Sequence, residues 1–186
     1  RFLNRIHQEA DRLVALINDI LRLSQLDEGG ALPHEQESVF EMAQEAARSL
    51  TAQAAAQAVH ISVTGTAGTV FGVRRLLYEI ARNLCENAVK YNVPGGSVTV
   101  EVAETDRDVA LLVRDTGIGI PEGDQSRVFE RFYRVDKSHS RAIGGTGLGL
   151  SIVKHAVAYH HGTLRLESQL GKGTVITVTL PKKPTE

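Results

Sequence analysis

Glycines are concentrated in the segment IGGTGLGLSIVKH, residues 143–155, where four of them fall within six positions just before an apolar, helix-like run. Exposed backbone N–H groups and the partial positive charge of a helix N-terminus together bind phosphate. The spacing fits neither the Rossmann fingerprint nor the P-loop, two common glycine-rich phosphate motifs. The residues alone therefore predict either a phosphate-binding turn of another kind or a flexible glycine hinge.

A second glycine motif, DTGIGIP at 115–121, follows an apolar run that reads as a strand. Asp115 would then stand at a strand end, beside backbone that carries no side chains at Gly117 and Gly119. A carboxylate in that position can accept a hydrogen bond from the exocyclic amine of a base. An aspartate that merely caps a glycine turn would look the same, so both interpretations stay open.

The third motif lies on a predicted helix over residues 73–91. Helical spacing places Glu79, Asn83, Asn87 and Lys90 in one sector of that helix, beside a stripe of apolar residues. Asparagines weaken a helix, whereas an amide oxygen is a fair ligand for Mg²⁺ and a nearby lysine can contact phosphate. A polar helix border without a function would explain the same residues.

The surrounding pattern predicts an α+β protein. Helical periodicity marks 41–58, 73–91 and 149–160, and alternation or turn-bounded apolar runs mark strands at 59–63, 97–103, 109–115, 163–168 and 174–180. Helices and hairpin-linked strands in this order predict an α/β sandwich, with one mostly antiparallel sheet and helices on one face.

The composition limits the classes of function that the chain can have. The 186-residue chain is 42% hydrophobic and 23% charged, with a formal net charge of −1. These values are ordinary for a globular protein and give no reason to expect nucleic acid as a partner. No apolar run approaches the ~20 residues that cross a bilayer. The single cysteine, Cys85, excludes an internal disulfide and is predicted to be buried.

The first 26 residues predict a long helix with a broad apolar face. Its apolar positions follow one another in steps of three and four, at Leu3, Ile6, Ala10, Leu13, Ile17 and Ile20. Such a face needs several helical partners, as in a four-helix bundle.

Taken in order, these motifs resemble those of two-component sensor histidine kinases. NLCENAVKYN (83–92) is similar to the N box of that family, DTGIGIP to the G1 box, and GGTGLGLSIVKH (144–155) to the G2 box. RVFERFYRVDKSHSR (127–141) resembles the F box and the start of the ATP lid, and GKGT (171–174) the last glycine turn. By this resemblance, residues 1–29 are the second helix of the dimerisation and phosphotransfer hairpin, and residues 30–186 are the catalytic ATP-binding domain.

The resemblance implies a Bergerat fold with ATP and Mg²⁺ as cofactors. It implies that Asp115 binds the adenine amine, that Asn87 coordinates Mg²⁺ with Asn83 assisting, and that Asn83, Asn87 and Lys90 are the catalytic residues. The remaining nucleotide contacts it implies are Lys90, Tyr91, Asn83, Asn87, Gly117, Gly119, Ile120, Gly145, Thr146, Gly147, Leu148, Gly149 and Thr174.

The family passes the γ-phosphoryl of ATP to a histidine and then to an aspartate of a response regulator. The acceptor lies in a motif of the His-Glu/Asp-Leu-Arg-Thr-Pro kind, which this sequence lacks, so we expect a fragment that binds ATP without its own acceptor. The resemblance further implies a homodimer in the full-length protein. It also implies a cytoplasmic position in a membrane-anchored bacterial receptor, attached through segments outside this sequence.

Two alternatives belong to other functional classes. Gyrase-, chaperone- and mismatch-repair-type ATP hydrolases place a glutamate one helical turn before the metal-binding asparagine, and Glu79 stands so before Asn83. In the kinases, by contrast, a lysine and a tyrosine follow the metal-binding asparagine, and here Lys90 and Tyr91 follow Asn87 in that way. The other alternative is a regulatory domain that binds ATP without catalysis, which the intact boxes and the leading helix do not favour.

Overall fold

The computed structural model of the protein describes residues 32–135 and 146–183, together with Ala10, Leu13, Val14 and Ile17. Those four are helical and exposed, and the rest of the predicted leading helix lies outside the described residues. The assignment of residues 1–29 to a hairpin helix therefore stays a prediction. Within the described part of the chain, no helix is long and apolar enough to cross a membrane.

The described helices and strands alternate along the chain. The helices are α1 (Val39–Ser49), α2 (Thr51–Ala56), α3 (Arg74–Lys90), α4 (Glu122–Gln125) and α5 (Gly149–Tyr159). The strands are β1 (Glu35–Ser38), β2 (His60–Gly65), β3 (Thr69–Gly72), β4 (Ser97–Glu104), β5 (Asp108–Asp115), β6 (Thr163–Gln169) and β7 (Gly173–Pro181).

Five of the strands form one sheet in the order β2-β4-β5-β7-β6. Its pairs are antiparallel except β2 with β4, which run parallel. Inward residues of the central strands, such as Val100, Leu111 and Val178, are almost fully buried beneath the helices. The α+β class and the mostly antiparallel sheet are thus confirmed, and β1 and β3 add a small antiparallel pair that the sequence pattern did not predict.

Helix α3 carries the core on one side and the polar motif on the other. Leu77, Ile80 and Leu84 are each about 2% exposed or less and pack in the main core. Cys85 is buried as expected, and burial raises the pKa of its thiol to about 12. Because one stripe is fixed against the sheet, the asparagine sector is fixed with it.

The segment predicted as one helix over 41–58 is two helices that break at Leu50. The hydroxyls on either side of the break turn back onto the backbone: Ser49 donates to Ala46 O at 2.7 Å and Thr51 to Arg48 O at 2.9 Å. Such local bonds compete with helix continuation. Leu50 and Ala54 are both buried, so the change of axis keeps apolar side chains in the core.

His160, the residue that follows α5, caps the start of α3. Val73 has no side-chain hydrogen-bonding group, and its N–H donates to His160 Nε2 at 3.0 Å, while His160 Nδ1 bonds Ala156 O at 2.8 Å. The ring must be neutral to accept from Val73. Burial lowers the pKa of His160, the bond to Ala156 opposes this, and the neighbouring His34 and His161 lower it further.

We expect the folded state to lose stability as pH falls below about 6.5, the ordinary histidine pKa, since the unfolded chain takes up a proton that folded His160 resists. His160→Leu should weaken this pH dependence and cost roughly 1–3 kcal/mol at neutral pH, because it leaves the Val73 N–H unpaired. Urea unfolding at several pH values measures both effects. The exposed His60 provides the control: His60→Gln should retain the wild-type dependence, and a wild-type dependence in His160→Leu would contradict the cap.

Candidate functional site

Asp115 ends β5 and points its carboxylate into the turn that follows. Its Oδ1 accepts hydrogen bonds from Gly117 N at 2.8 Å and from Thr174 N at 3.2 Å. Burial raises the pKa of this carboxyl, and the two backbone bonds oppose that rise. Among the described residues, no hydrogen bond reaches Oδ2 of Asp115. One oxygen thus fixes the side chain, and the other is available to a donor on a ligand.

The turn after Asp115 is pressed between the end of α3 and the end of β6. A Cβ on Gly117 would overlap Tyr91 O, and Ile118 N donates to that same carbonyl at 3.1 Å. Gly119 has a φ of +68°, and a Cβ there would overlap Gln169 O. The two glycines are therefore required by close backbone approach, and the turn places α3 next to Asp115.

The asparagines of α3 face the start of α5. Asn83 Nδ2 donates to Glu79 O at 2.8 Å and to Glu79 Oε2 at 3.2 Å, which fixes the amide. Asn83 Oδ1 lies 2.9 Å from the point that a Cβ on Gly149 would occupy, and Asn87 Nδ2 lies 3.8 Å from it. The absence of a side chain at Gly149 thus leaves space in which both amides and the helix N-terminus meet.

The end of α3 is positively charged. Lys90 Nζ lies 5.4 Å from the centre of the Tyr91 ring. Burial lowers the pKa of Lys90, Glu86 opposes this, and the charge of Arg134 lowers it further. Arg134, which the sequence reasoning did not single out, therefore adds positive charge at this end of α3. Its position in RFYR, within the F-box-like segment, was the available signal.

The glycine-rich segment leads into α5 through a left-handed residue. Gly147 has a φ of +75°, and its carbonyl accepts from Phe132 N at 3.0 Å. Leu148 N donates to Thr146 Oγ1 at 3.3 Å, and the Leu148 side chain is fully buried. Helix α5 begins at Gly149, and among the described residues no side chain caps it. Gly145 lies outside the described residues, so its predicted phosphate contact stays a prediction.

A serine that no motif indicated joins the turn to the last hairpin. Ser168 Oγ accepts from Ile120 N at 2.8 Å and lies 2.9 Å from Thr174 Oγ1. Ser168 and Thr174 pair directly across β6 and β7. Ser168 can be recognised only from this pairing of β6 with β7, which no local sequence pattern predicts. Except for Gly145, the predicted site residues thus lie along one continuous surface formed by α3, the turn after β5, the start of α5 and β7.

A family model described as histidine kinase-, DNA gyrase B-, and HSP90-like ATPase matches residues 72–184. The chain belongs to this family. Sensor-like histidine kinase SenX3 of Mycolicibacterium smegmatis is 40% identical over 188 aligned positions, which cover 99% of this chain and 48% of that protein. The chain therefore spans about half the length of curated relatives such as this one.

Solved structures agree. The mycobacterial sensor histidine kinase MprB has a TM-score of 0.71 at 32% identity, over 82% of this chain and 99% of that one. Full-length ShkA in complex with AMPPNP has a TM-score of 0.83 at 24% identity, over 99% of this chain and 39% of that one. At this identity, the similarity supports the assignment of the fold and nothing more. The chain thus contains the catalytic ATP-binding domain of a sensor histidine kinase.

In this ATPase-family domain, Gly117→Ala should be costly because the new methyl group would overlap Tyr91 O and force the backbone apart. Overpacking of this kind destabilises by about 1–3 kcal/mol, and here it would also displace Asp115. Thermal unfolding and nucleotide titration measure the two effects. Gly123→Ala is the matched control, since no atom lies within 4 Å of its Cβ position; equal behaviour of the two variants would contradict the packed turn.

Proposed function

We propose that this domain binds Mg²⁺-ATP and presents its γ-phosphoryl group for transfer to a histidine outside this sequence. The observation that carries the proposal is the meeting of three unlike groups on one surface. A fixed carboxylate at Asp115 suits an adenine amine. The amides of Asn83 and Asn87 face the N-terminus of α5, and Lys90 with Arg134 supplies positive charge.

Asn87 would be the main Mg²⁺ ligand, with Asn83 assisting through Oδ1. The donor set fits such an ion, because amide oxygens are hard ligands and the space beside Gly149 has no side chain to fill it. Asn83 Oδ1 borders this space, and Asn87, whose Nδ2 lies 3.8 Å from the Cβ position of Gly149, would turn its amide over to present Oδ1. Within the described residues, no three His, Cys, Asp or Glu side chains gather into a metal site. The ion would therefore depend on phosphate oxygens for its other ligands, as is usual for Mg²⁺ at nucleotide sites. When bound, it supplies charge neutralisation along the phosphates.

The protein's own residues would mainly position the nucleotide and neutralise the charge of its phosphates. Asp115 would orient the base, and Tyr91, Thr146, Gly147 and Leu148 would line the path of the phosphates. Lys90, Arg134 and the free N–H groups of α5 would offset the negative charge that phosphoryl transfer spreads over the oxygens. No side chain needs to form a bond to phosphorus, because the nucleophile is the distant histidine.

The kinase interpretation is supported over the hydrolase by the register on α3. Lys90 and Tyr91 follow Asn87 by one turn, which leaves the amide of Asn83 at the position where a hydrolase holds its basic carboxylate. Glu79 is 8% exposed, and its carboxylate accepts from Asn83. Because the Glu79 carboxylate is hydrogen-bonded to a side chain of its own helix, it is poorly placed to accept a proton from water.

The rest of the intact protein is inferred from the relatives. We propose that residues 1–29 form the second helix of a dimerisation and phosphotransfer hairpin. The exposed apolar side chains of Leu13, Val14 and Ile17 would then pack in the homodimer. The phosphoryl group would pass from histidine to a response-regulator aspartate, within a receptor whose membrane segments lie outside this sequence.

Asn87→Asp should weaken Mg²⁺-ATP binding, because the carboxylate keeps an oxygen for Mg²⁺ but adds a negative charge beside the phosphates and loses the Nδ2 donor. We expect a loss of at least ~10-fold in affinity by calorimetric titration, in line with the loss of a charge-assisted contact. Gln53→Glu makes the same amide-to-acid change in α2 and should leave affinity unchanged. Unchanged affinity in Asn87→Asp would refute the site assignment.

A separate hairpin fragment that carries the His-Glu/Asp-Leu-Arg-Thr-Pro motif should become labelled at histidine when mixed with this chain and γ-labelled ATP. The label should be acid-labile and should be absent when the fragment's histidine is replaced by alanine. Release of inorganic phosphate, followed in the same mixture, distinguishes the alternative. Phosphate release that exceeds protein labelling and persists without the hairpin would identify a hydrolase.

A further inference from the structure

Ser168 stands at the junction of three backbone segments around the base side of the site. Its hydroxyl oxygen accepts from Ile120 N at 2.8 Å and donates to Gly173 O at 3.0 Å. It also lies 2.9 Å from Thr174 Oγ1. Gln125 reinforces the junction, since its Nε2 donates to Ser168 O at 2.9 Å and to Ile120 O at 3.1 Å.

The protons of these two hydroxyls can be assigned from the hydrogen-bond count. A serine hydroxyl has one hydrogen and two acceptor positions. At Ser168, the hydrogen goes to Gly173 O and one acceptor position takes the Ile120 N–H. The remaining acceptor position faces Thr174, so the Thr174 hydroxyl must be the donor of that pair. Its own hydrogen is then used, and Thr174 Oγ1 can only accept from a ligand.

Thr174 is 8% exposed, and its N–H donates to Asp115 Oδ1, so both side chains border the same space. With Ser168 in place, this space presents two acceptors, a carboxylate oxygen and Thr174 Oγ1. An amino group with two N–H donors matches them, as the 6-amino group of adenine does. A purine with an acceptor oxygen at that position would face repulsion from both.

We propose that Ser168 is a positioning residue for base selection: it holds the Thr174 hydroxyl as an acceptor, so that Thr174 and Asp115 together select a 6-amino purine. This rests on the proposed function, in that Asp115 binds the base of ATP. Ser168 itself touches no nucleotide. Its effect on the choice at the 6-position would pass through Thr174, whereas any effect through its bond to Ile120 N would be shared by nucleotides with and without the 6-amino group.

The test compares ATP with purine riboside 5′-triphosphate, which lacks the 6-amino group and keeps the phosphates. Wild-type protein should prefer ATP, and Ser168→Ala should reduce the ratio of the two affinities by about 3- to 10-fold, the effect of one neutral hydrogen bond. Its affinity for the analogue should change little, which general damage to the fold would not allow. Ser168→Thr keeps the hydroxyl and should retain the wild-type ratio.

A double-mutant cycle tests the route through Thr174. Thr174→Val should lower the same ratio, and adding Ser168→Ala to it should produce no further loss, because the two residues act as one unit. Ser62→Ala in β2, at the opposite edge of the sheet, is the matched serine control and should leave the ratio unchanged.

The outcomes separate this inference from the proposed function. A wild-type ratio in Ser168→Ala, or a full additional loss when it is combined with Thr174→Val, would overturn the role of Ser168. In either case a loss of ATP preference in Asp115→Asn would leave the proposed function standing. If wild-type protein showed no preference for ATP over the analogue, or if Asp115→Asn kept it, the assignment of Asp115 and this inference would both fail.

Discussion

A half-buried carboxylate has to be satisfied, and much of the site follows from how Asp115 meets that requirement. Removal from water without hydrogen bonds would cost several kcal/mol, on the order of what a small domain has in total stability. Two backbone N–H groups, from Gly117 and Thr174, supply the bonds. Both must approach closely, and Gly173 has a φ of +101° at a point where a Cβ would overlap Asp115 O. The register of β5 with β7 and the glycines beside it thus bring both backbone donors to one acidic side chain.

Helix α3 shows how a core can hold a polar row that would be unfavourable by itself. Asparagines lower helix propensity by a few tenths of a kcal/mol each, whereas burial of leucine or isoleucine contributes about 1.5–3 kcal/mol per side chain. Leu77, Ile80 and Leu84 therefore outweigh Asn83 and Asn87, and the helix forms despite them. The packing of α3 on α5 then brings the α5 N-terminus to the same row.

A structural feature could be predicted from the sequence when the interactions that produce it lie between residues close together in the chain. The bounds of α3 and the hairpin strands follow from periodicity and turn residues, so the sequence predicted them within a few positions. The break at Leu50 depends on two hydroxyl bonds to backbone carbonyls, and helical periodicity does not distinguish that break from a continuous helix. Ser168 and Arg134 depend on strand register and on where a distant segment returns, which no window of sequence contains. The sequence therefore indicates the glycines and asparagines directly, whereas the residues that support them become visible only in the structure.

The two ends of the site are held by different kinds of interaction. On the base side, backbone N–H groups and the Ser168 hydroxyl fix Asp115 and Thr174 at strand ends, where the chain has little freedom. On the phosphate side, the charged groups are the long side chains of Lys90 and Arg134. Among the described residues, the segment that carries Arg134 is joined to the start of α5 by a single backbone bond, from Phe132 N to Gly147 O. Rigid groups suit a choice between bases, since a shift of a few tenths of an ångström alters a hydrogen bond, whereas charge interactions fall off slowly with distance. In the proposed function, this difference would let the domain hold its base selectivity constant while the phosphate end adjusts to an acceptor.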